Sequence, residues 1–483
     1  MGIELPPAIS SALAQLPFLS SIGMLATSSV LKFYNGLKLV SHLPGLRTPF
    51  SPYSFLGFTA PVTWWNPGLK FLWEGRKDHY LYKYFGSENF SITPWISGAP
   101  LIVSSNLDVL RQTAFGSFRS DFEKPEEMSR ALLFWVTISL VLTGRSGGDI
   151  AVSGWGDKDT IDIEVVQKLT HKFTLLIIST CGFGLDFDWA EPPAPPDGRM
   201  TVQQAFKIVV DRNMAVTFMP RWVHKLVPTT YFREVDEAIN EMSRFMKAQV
   251  TSRKAAVRSG NGDIDAFTLM VKANEEEGSK YKLNESELIG NVFVLLFAGH
   301  ETTAVTLAAA MIYLALNPEI EKEVLQNIIE VVGWNGKPTF EDYGKLDKVL
   351  AVFLEVLIGC YPSGHLMFRK ATKDTTLKLP RPGTMMVIDM VGLQYNPRYF
   401  EDPESFKPSR WCGVSKDSDA FTAFSIGPRE CIGRKFATVE AVALLALLLR
   451  DFKIEPLLLN GETLDAWKTR VLDASASDHF GGE

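Results

Sequence analysis

The sequence predicts a mainly α-helical chain with small β-sheets. Two long helical runs and one turn-strand segment carry that prediction. The first run can be capped by Asn284 or Ser286 and is stopped by Asn317-Pro318. The roughly 30 residues between them would reach about 45 Å. The second run, Ala437 to Leu449, is apolar almost all round, the pattern of a helix buried on every side. Leu377 to Gly383 reads as a turn and Thr384 to Asp389 as the strand that follows. With 483 residues, 46% hydrophobic and 22% charged, the chain can bury one large core.

At the N-terminus, Ala8 to Leu31 is an uncharged run closed by Lys32, long enough to span a bilayer although it contains Gln15 and Pro17. We expect a membrane anchor there. No basic region precedes it, which argues against a cleaved signal. Leu43 to Pro49 is proline-rich and stiff, suited to separate an anchor from a folded body. Residues 1–50 are therefore expected to form anchor and linker, and 51–483 a single folded domain.

Polar breaks then divide the body at Glu191 to Gly198, Arg258 to Asp263 and Asn274 to Lys280, each expected to be a surface loop. Met214 to Val223 is apolar but broken by Pro220; a substrate-access segment touching a membrane and ordinary core are equally compatible with it. A net charge of −6 argues against nucleic acid as a partner. The four cysteines have neither disulfide-framework nor zinc spacing, so a reducing compartment is expected. Gly144-Arg-Ser146-Gly-Gly148 satisfies the nucleophile-elbow pattern of serine hydrolases after a strand-like Val136 to Thr143. Gly147, Gly148 and Gly154 forbid the helix such an elbow needs, which sets the hydrolase reading aside.

Two constellations carry chemistry. Phe424-Ser-Ile-Gly427-Pro-Arg429-Glu-Cys431-Ile-Gly433 frames one cysteine with glycines and an arginine just ahead of the second helical run. A thiolate there is favoured by the positive end of the helix and by free backbone N–H groups. Ala298-Gly299-His300-Glu301-Thr302-Thr303 sits in the middle of the long helix, where the polar residues argue for a buried helix lining a cofactor rather than a span in lipid. The cysteine loop resembles the signature Phe-x-x-Gly-x-Arg-x-Cys-x-Gly of the cytochrome P-450 family, and the helix motif matches that family's small-glycine-x-acid-threonine pattern.

The resemblance implies the cytochrome P-450 fold, a single haem domain, and haem b as cofactor. It makes Cys431 the axial iron ligand, Arg429 and Arg369 haem-propionate partners, and Phe424, Gly427 and Gly433 the frame of the sulfur loop. Ala298 and Gly299 would give a small-residue surface beside the bound O2. Glu301 and Thr302 would be an acid and a hydroxyl that order the water delivering protons, although threonine also bonds back to helix carbonyls without any catalysis. His300 points elsewhere by helical geometry and is expected to be a satisfied structural histidine. Arg369 closes Pro362-Ser-Gly-His-Leu-Met-Phe-Arg369, which resembles the family's segment bordering the pocket. Phe406-Lys-Pro-Ser-Arg410-Trp411 matches the family's Pro-x-Arg element, whose arginine closes a buried network with Glu355.

The implied function is that of a mono-oxygenase placing one atom of O2 in a small lipophilic substrate. Electrons would come from NADPH through a flavoprotein reductase docking near Arg434 and Lys435, at the cytosolic face of the endoplasmic reticulum membrane. The details look most like fungal membrane-bound members. Two departures favour a degenerate, haem-poor alternative. Where the family has Glu-x-x-Arg this chain has Glu355-Val-Leu-Ile358, with one extra residue before Pro362, and none of the 11 tryptophans has Arg four residues on. The glycine-rich Gly144 to Gly156 stands where a propionate-gripping helix is expected.

Overall fold

The computed structural model describes residues 7–54, 56–57, 60–63, 65–66, 80–115, 122–123, 140–144, 160–185, 199–212, 216, 222, 229–260, 265–276, 282–360, 366–371, 385–412 and 421–477. Among these, the chain begins with α1 (Pro7–Leu39), β1 (Gly45–Phe50), α2 (Tyr80–Phe85), β2 (Asn89–Ser97), β3 (Leu101–Ser104) and α3 (Leu107–Phe115). It continues through β4 (Phe122–Glu123), β5 (Leu140–Gly144), β6 (Thr160–Ile163) and α4 (Val166–Ile177), which runs on into a π-helical turn, Ile178–Gly182. Next come α5 (Val202–Asp211), α6 (Thr230–Arg258), α7 (Ala266–Glu275), α8 (Glu285–Leu316) and α9 (Pro318–Val332). α10 (Asp347–Glu355) also ends in a π-helical turn, Val356–Cys360, and is followed by β7 (Leu366–Ala371), β8 (Met385–Asp389) and α11 (Met390–Gln394). The last described elements are α12 (Arg434–Asp451), β9 (Phe452–Pro456) and α13 (Leu464–Ser477). The mainly α expectation holds, with helices at both predicted runs.

The chain divides into two compact units. One takes Met1–Ser129, Gly364–Ser405 and Ser415–Cys431. Its centre is a six-stranded mixed sheet in the order β1-β2-β3-β8-β7-β4. Phe90, Ile92, Leu101, Val103 and Val387 from three neighbouring strands form a core with Leu81 and Tyr82 of α2. The Tyr82 hydroxyl donates to Asp389 Oδ2 at 2.6 Å, and Asp389 Oδ1 caps α11 by accepting from the Gly392 N–H at 2.9 Å. β1 lies parallel to β2 in register Gly45 to Ser91, and a Cβ on Gly45 would overlap the Ser91 carbonyl. The stretch expected to be a linker is therefore a strand of this sheet, because its residues find a partner edge in β2. The folded body begins before residue 50.

The second unit, Arg130–Ser363, Phe406–Val414 and Ile432–Glu483, holds most of the helices. Asn284 and Glu287 form a full capping box at the start of α8: each side chain accepts from the other residue's backbone N–H, at 2.8 and 2.9 Å. The helix ends at Leu316 ahead of Asn317-Pro318, as the sequence requires. Leu288, Val292 and Leu296 on one side of α8 pack with Ile178, Phe206, Met242, Met246, Val250 and Phe267. α8 is the one described helix long and apolar enough to cross a membrane, and 56% of its apolar window is buried in the protein. β5 is the central strand of a three-stranded antiparallel sheet, β6-β5-β9, not of the parallel sheet a nucleophile elbow crowns. Residues 145–159 lie outside the described residues, as does all of Met214 to Val223 except Val216 and Trp222.

Candidate active site

The cysteine loop belongs to the first unit and is closed by its own backbone. Ser425 donates its N–H to the Thr422 carbonyl at 2.8 Å, Glu430 to Gly427 at 2.9 Å, and Cys431 to Phe424 at 2.8 Å. The turn requires left-handed backbone at Gly427, with φ of 79°, which a glycine adopts at no steric cost. Ser425 takes a similar value, 62°. The Phe424 ring leans on Phe421, 6.0 Å between centroids. Cys431 ends this fold-back exposed, beside an Ile432 that is 87% exposed, and Gly433 is the cap residue of α12. Arg429 ends the short turn Gly427–Arg429, and Arg369 pairs with Met386 across β7 and β8; the side chains of both lie outside the described residues.

In the second unit, α8 buries most of its surface but leaves a stripe accessible. Asn291, Val294 and Ala298 are exposed and Thr302 is half-exposed, a spacing of three to four residues that lies along one face. The Thr302 hydroxyl donates to the Ala298 carbonyl at 2.8 Å, which leaves its lone pairs to accept. Gly299 is not on that stripe: it meets Ile178 in the π-helical turn after α4, whose Cδ1 a Cβ at residue 299 would overlap.

Glu301 turns away from Thr302 altogether. Its side chain is wholly buried, with Oε2 3.1 Å from His171 Nε2 of α4 and 3.6 Å from His300 Nε2. Adjacent residues on a helix differ by about 100°, so an acid and a hydroxyl at 301 and 302 cannot share a face without a side-chain swing. His300 is buried, as a structural histidine should be, and its Nδ1 lies 3.2 Å from the Leu296 carbonyl. Burial pulls its pKa down to about 4. Its ring also packs against Phe206 and Phe297. The carboxyl of Asp211, at the end of α5, is raised by desolvation and feels both Glu301 and His171. Nothing in the local sequence of His171 marks its contact with Glu301.

Glu355 shows how the chain does without the expected arginine. Its Oε1 accepts from the Lys407 N–H at 2.7 Å, its Oε2 from the Trp411 indole at 2.7 Å, and Arg410 Nε lies 3.1 and 2.9 Å from the two oxygens. Burial pushes this carboxyl above its ordinary range, and those donors pull it back. All three donors come from five consecutive residues around the short helix Pro408–Trp411. The extra residue before Pro362 coincides with the π-helical turn Val356–Cys360, the form in which a helix absorbs one inserted residue. Ile358, at the missing arginine's place, is 2% exposed.

The family model described as Cytochrome P450 matches residues 146–468, two thirds of the chain. The chain belongs to the cytochrome P450 family. A cytochrome P450 monooxygenase of Postia placenta is 31% identical to it over 95% of this chain and 96% of that protein. A cyclooctat-9-en-7-ol 5-monooxygenase of Streptomyces melanosporofaciens is 28% identical over 63% of this chain and 64% of its own. A crystal structure of a cytochrome P450 superposes with a TM-score of 0.50 at 23% identity, covering 62% of this chain and 64% of that one, which shows the shared fold. This P450 is thus a monooxygenase-type oxidoreductase of a family whose members bind haem b, and it resembles fungal members, as expected from the two motifs.

Proposed function

We propose that this P450 oxidises a small lipophilic substrate at a haem b held by the Cys431 thiolate. The single observation that carries the assignment is the backbone-closed loop that ends on an exposed Cys431 two residues ahead of the α12 cap. The accessible stripe on α8, apolar at Val294 and Ala298, is a surface suited to a lipophilic substrate, which is compatible with the same reading. Arg429 and Arg369 would meet the propionates, and Phe424, Gly427 and Gly433 would keep the sulfur loop in its conformation. When bound, a thiolate-held haem supplies the activation of O2 and the transfer of one oxygen atom to carbon, the other leaving as water.

The chain's own residues would bind substrate, restrict water and supply protons. Thr302, whose hydroxyl hydrogen is engaged by the Ala298 carbonyl, would accept a hydrogen bond from a water on the stripe and so hold it in place. Glu301 would be the acid behind it, reached by a turn of its side chain from the buried position near His171. Gly299 admits Ile178 and thereby lets α4 close on α8, a positioning role. NADPH-derived electrons would arrive through a reductase docking near Arg434 and the exposed Lys435, whose ammonium sits 3.7 Å from the Tyr343 ring centroid. The proposed setting is the cytosolic face of the endoplasmic reticulum membrane, with α1 as anchor: Met24, Leu25, Val30 and Leu31 expose their side chains along it.

The test is the absorption spectrum of the reduced, carbon-monoxide-bound protein. Cys431→Ser should abolish the red-shifted thiolate band, whereas Cys360→Ser and Cys412→Ser should leave it in place. A normal band in Cys431→Ser overturns the assignment. The rival reading, a haem-poor and inactive member, rested on the absent arginine at Ile358 and on the glycine-rich Gly144 to Gly156. The donors around Glu355 favour the catalytic reading, because the carboxylate they hold is not left uncompensated.

A further inference from the structure

Two imidazoles present the same ring atom to one carboxyl oxygen. His171 Nδ1 lies 2.8 Å from the Gln167 carbonyl and His300 Nδ1 3.2 Å from the Leu296 carbonyl, each four residues back on its own helix. A carbonyl only accepts, so both Nδ1 atoms carry hydrogen, a tautomer assigned by its partners. Both Nε2 atoms then turn to Glu301 Oε2, at 3.1 and 3.6 Å. If neither ring were charged and the carboxyl were ionised, lone pairs would face lone pairs at those distances around a wholly buried carboxyl. A proton shared within the cluster relieves that repulsion. Among the described residues neither Glu301 oxygen has an aligned hydrogen bond, and neither does His171 Nε2, so the 3.1 Å contact is a close approach that a small turn of either side chain would align and the carboxyl is not fixed in place by other donors.

Among the described residues the cluster is accessible at His171 and Asp211. His171 keeps 13% of its side chain accessible, and Asp211 is exposed at the end of α5, where its carboxyl feels Lys207, Arg212, Glu301 and His171. On the other sides His300 is 3% exposed, against the rings of Phe206 and Phe297. We propose that His171, with His300 beside it, is the proton-transfer partner of Glu301, so that protons consumed in O2 reduction enter between α4 and α5 and not along the stripe of α8 where substrate lies. The inference rests on the reading of Glu301 as the proton-delivering acid. One proton passes from His171 Nε2 to Glu301 Oε2, leaving a neutral imidazole and a neutral carboxylic acid. The acid crosses to the Thr302 side uncharged, which costs far less than moving a carboxylate through apolar packing. Nε2 is itself buried, so its re-protonation requires the imidazole to turn toward the accessible side of its ring. His171 is thus a positioning residue acting through Glu301.

The test uses the full-length holoprotein with a reductase and NADPH, no organic substrate added, and reads the rate of NADPH oxidation in H2O and D2O. Glu301→Gln and His171→Gln should each slow it on the order of 10²-fold, the loss expected of a missing proton-transfer group. Glutamine can donate a hydrogen bond but cannot pass a proton, so a merely structural His171 would be rescued by His171→Gln and harmed by His171→Phe. Rescue overturns the proposal. If Glu301→Gln slows oxidation and both His171 variants do not, the acid reading stands and the histidine route fails; if all three keep the wild-type rate, the acid reading itself fails. A second measurement is independent of turnover: 15N-histidine NMR of the diamagnetic ferrous carbon-monoxide form. Both rings should carry hydrogen on Nδ1, with the His171 Nε2 signal moving in Glu301→Gln. A bare Nδ1 on His171 overturns the proposal.

Discussion

Glu440 of α12 has both carboxyl oxygens buried without a hydrogen-bond partner among the described residues, at 5% exposure. Desolvation raises its pKa to about 8. Since the folded state then holds a proton the unfolded state releases above its ordinary range, this group's contribution is complete at low pH and is lost as pH rises toward 8. Glu440→Gln should leave thermal stability nearly unchanged at pH 5 and raise it progressively by pH 8, with a ceiling of roughly 4–5 kcal/mol; a gain that shrinks with pH would refute the sign. At Thr302 the expected outcome of Thr302→Ala is a loss of coupled turnover of about 10²-fold, read as electrons diverted to peroxide or water. The motifs that hold Cys431, Glu301 and Thr302 were legible because each is only a few residues long. His171 was not, because its meaning comes from a helix contact with Glu301 far along the chain, and no local pattern encodes that distance.

At the scale of elements, α10 with its π-helical end and the short helix Pro408–Trp411 act together. Counting residues from Glu355 to Pro362 showed an insertion and a missing cation; counting donors around Glu355 shows a backbone N–H, a guanidinium and an indole. The sequence could not disclose this, since tryptophan at 411 gives no sign that its N–H is aimed at a carboxylate. Trp411→Phe should cost about 1–3 kcal/mol in thermal unfolding by leaving a buried acceptor short of a donor, with a matching fall in haem retention. Replacing Ile358-Gly359-Cys360 by Arg-Leu, attractive from spacing alone, should now lower stability: it removes the π-helical turn and puts a charge where Ile358 is 2% exposed. A higher melting temperature in that variant would show that the cradle of Glu355 is incomplete after all.

For the whole molecule, α8 and α12 were foreseeable from a cap and from apolar runs, and so was the family they belong to. The N-terminal boundary was less so, because a proline-rich segment looks like a spacer until its partner strand is known. Removing residues 1–35 should shift the protein from the membrane pellet toward the soluble fraction; a full-length protein already soluble in low salt would count against an anchor. β1 adds a consequence for anyone shortening this chain. It is the outermost strand, and behind it β2 is nine residues long with Phe90 to Pro94 buried. A cut at residue 50 would uncover that edge and offer its unpaired N–H and C=O groups to a second molecule, the geometry from which aggregates grow. A preparation freed from lipid by that cut would precipitate for a different reason, so the safe place to shorten the protein lies within α1.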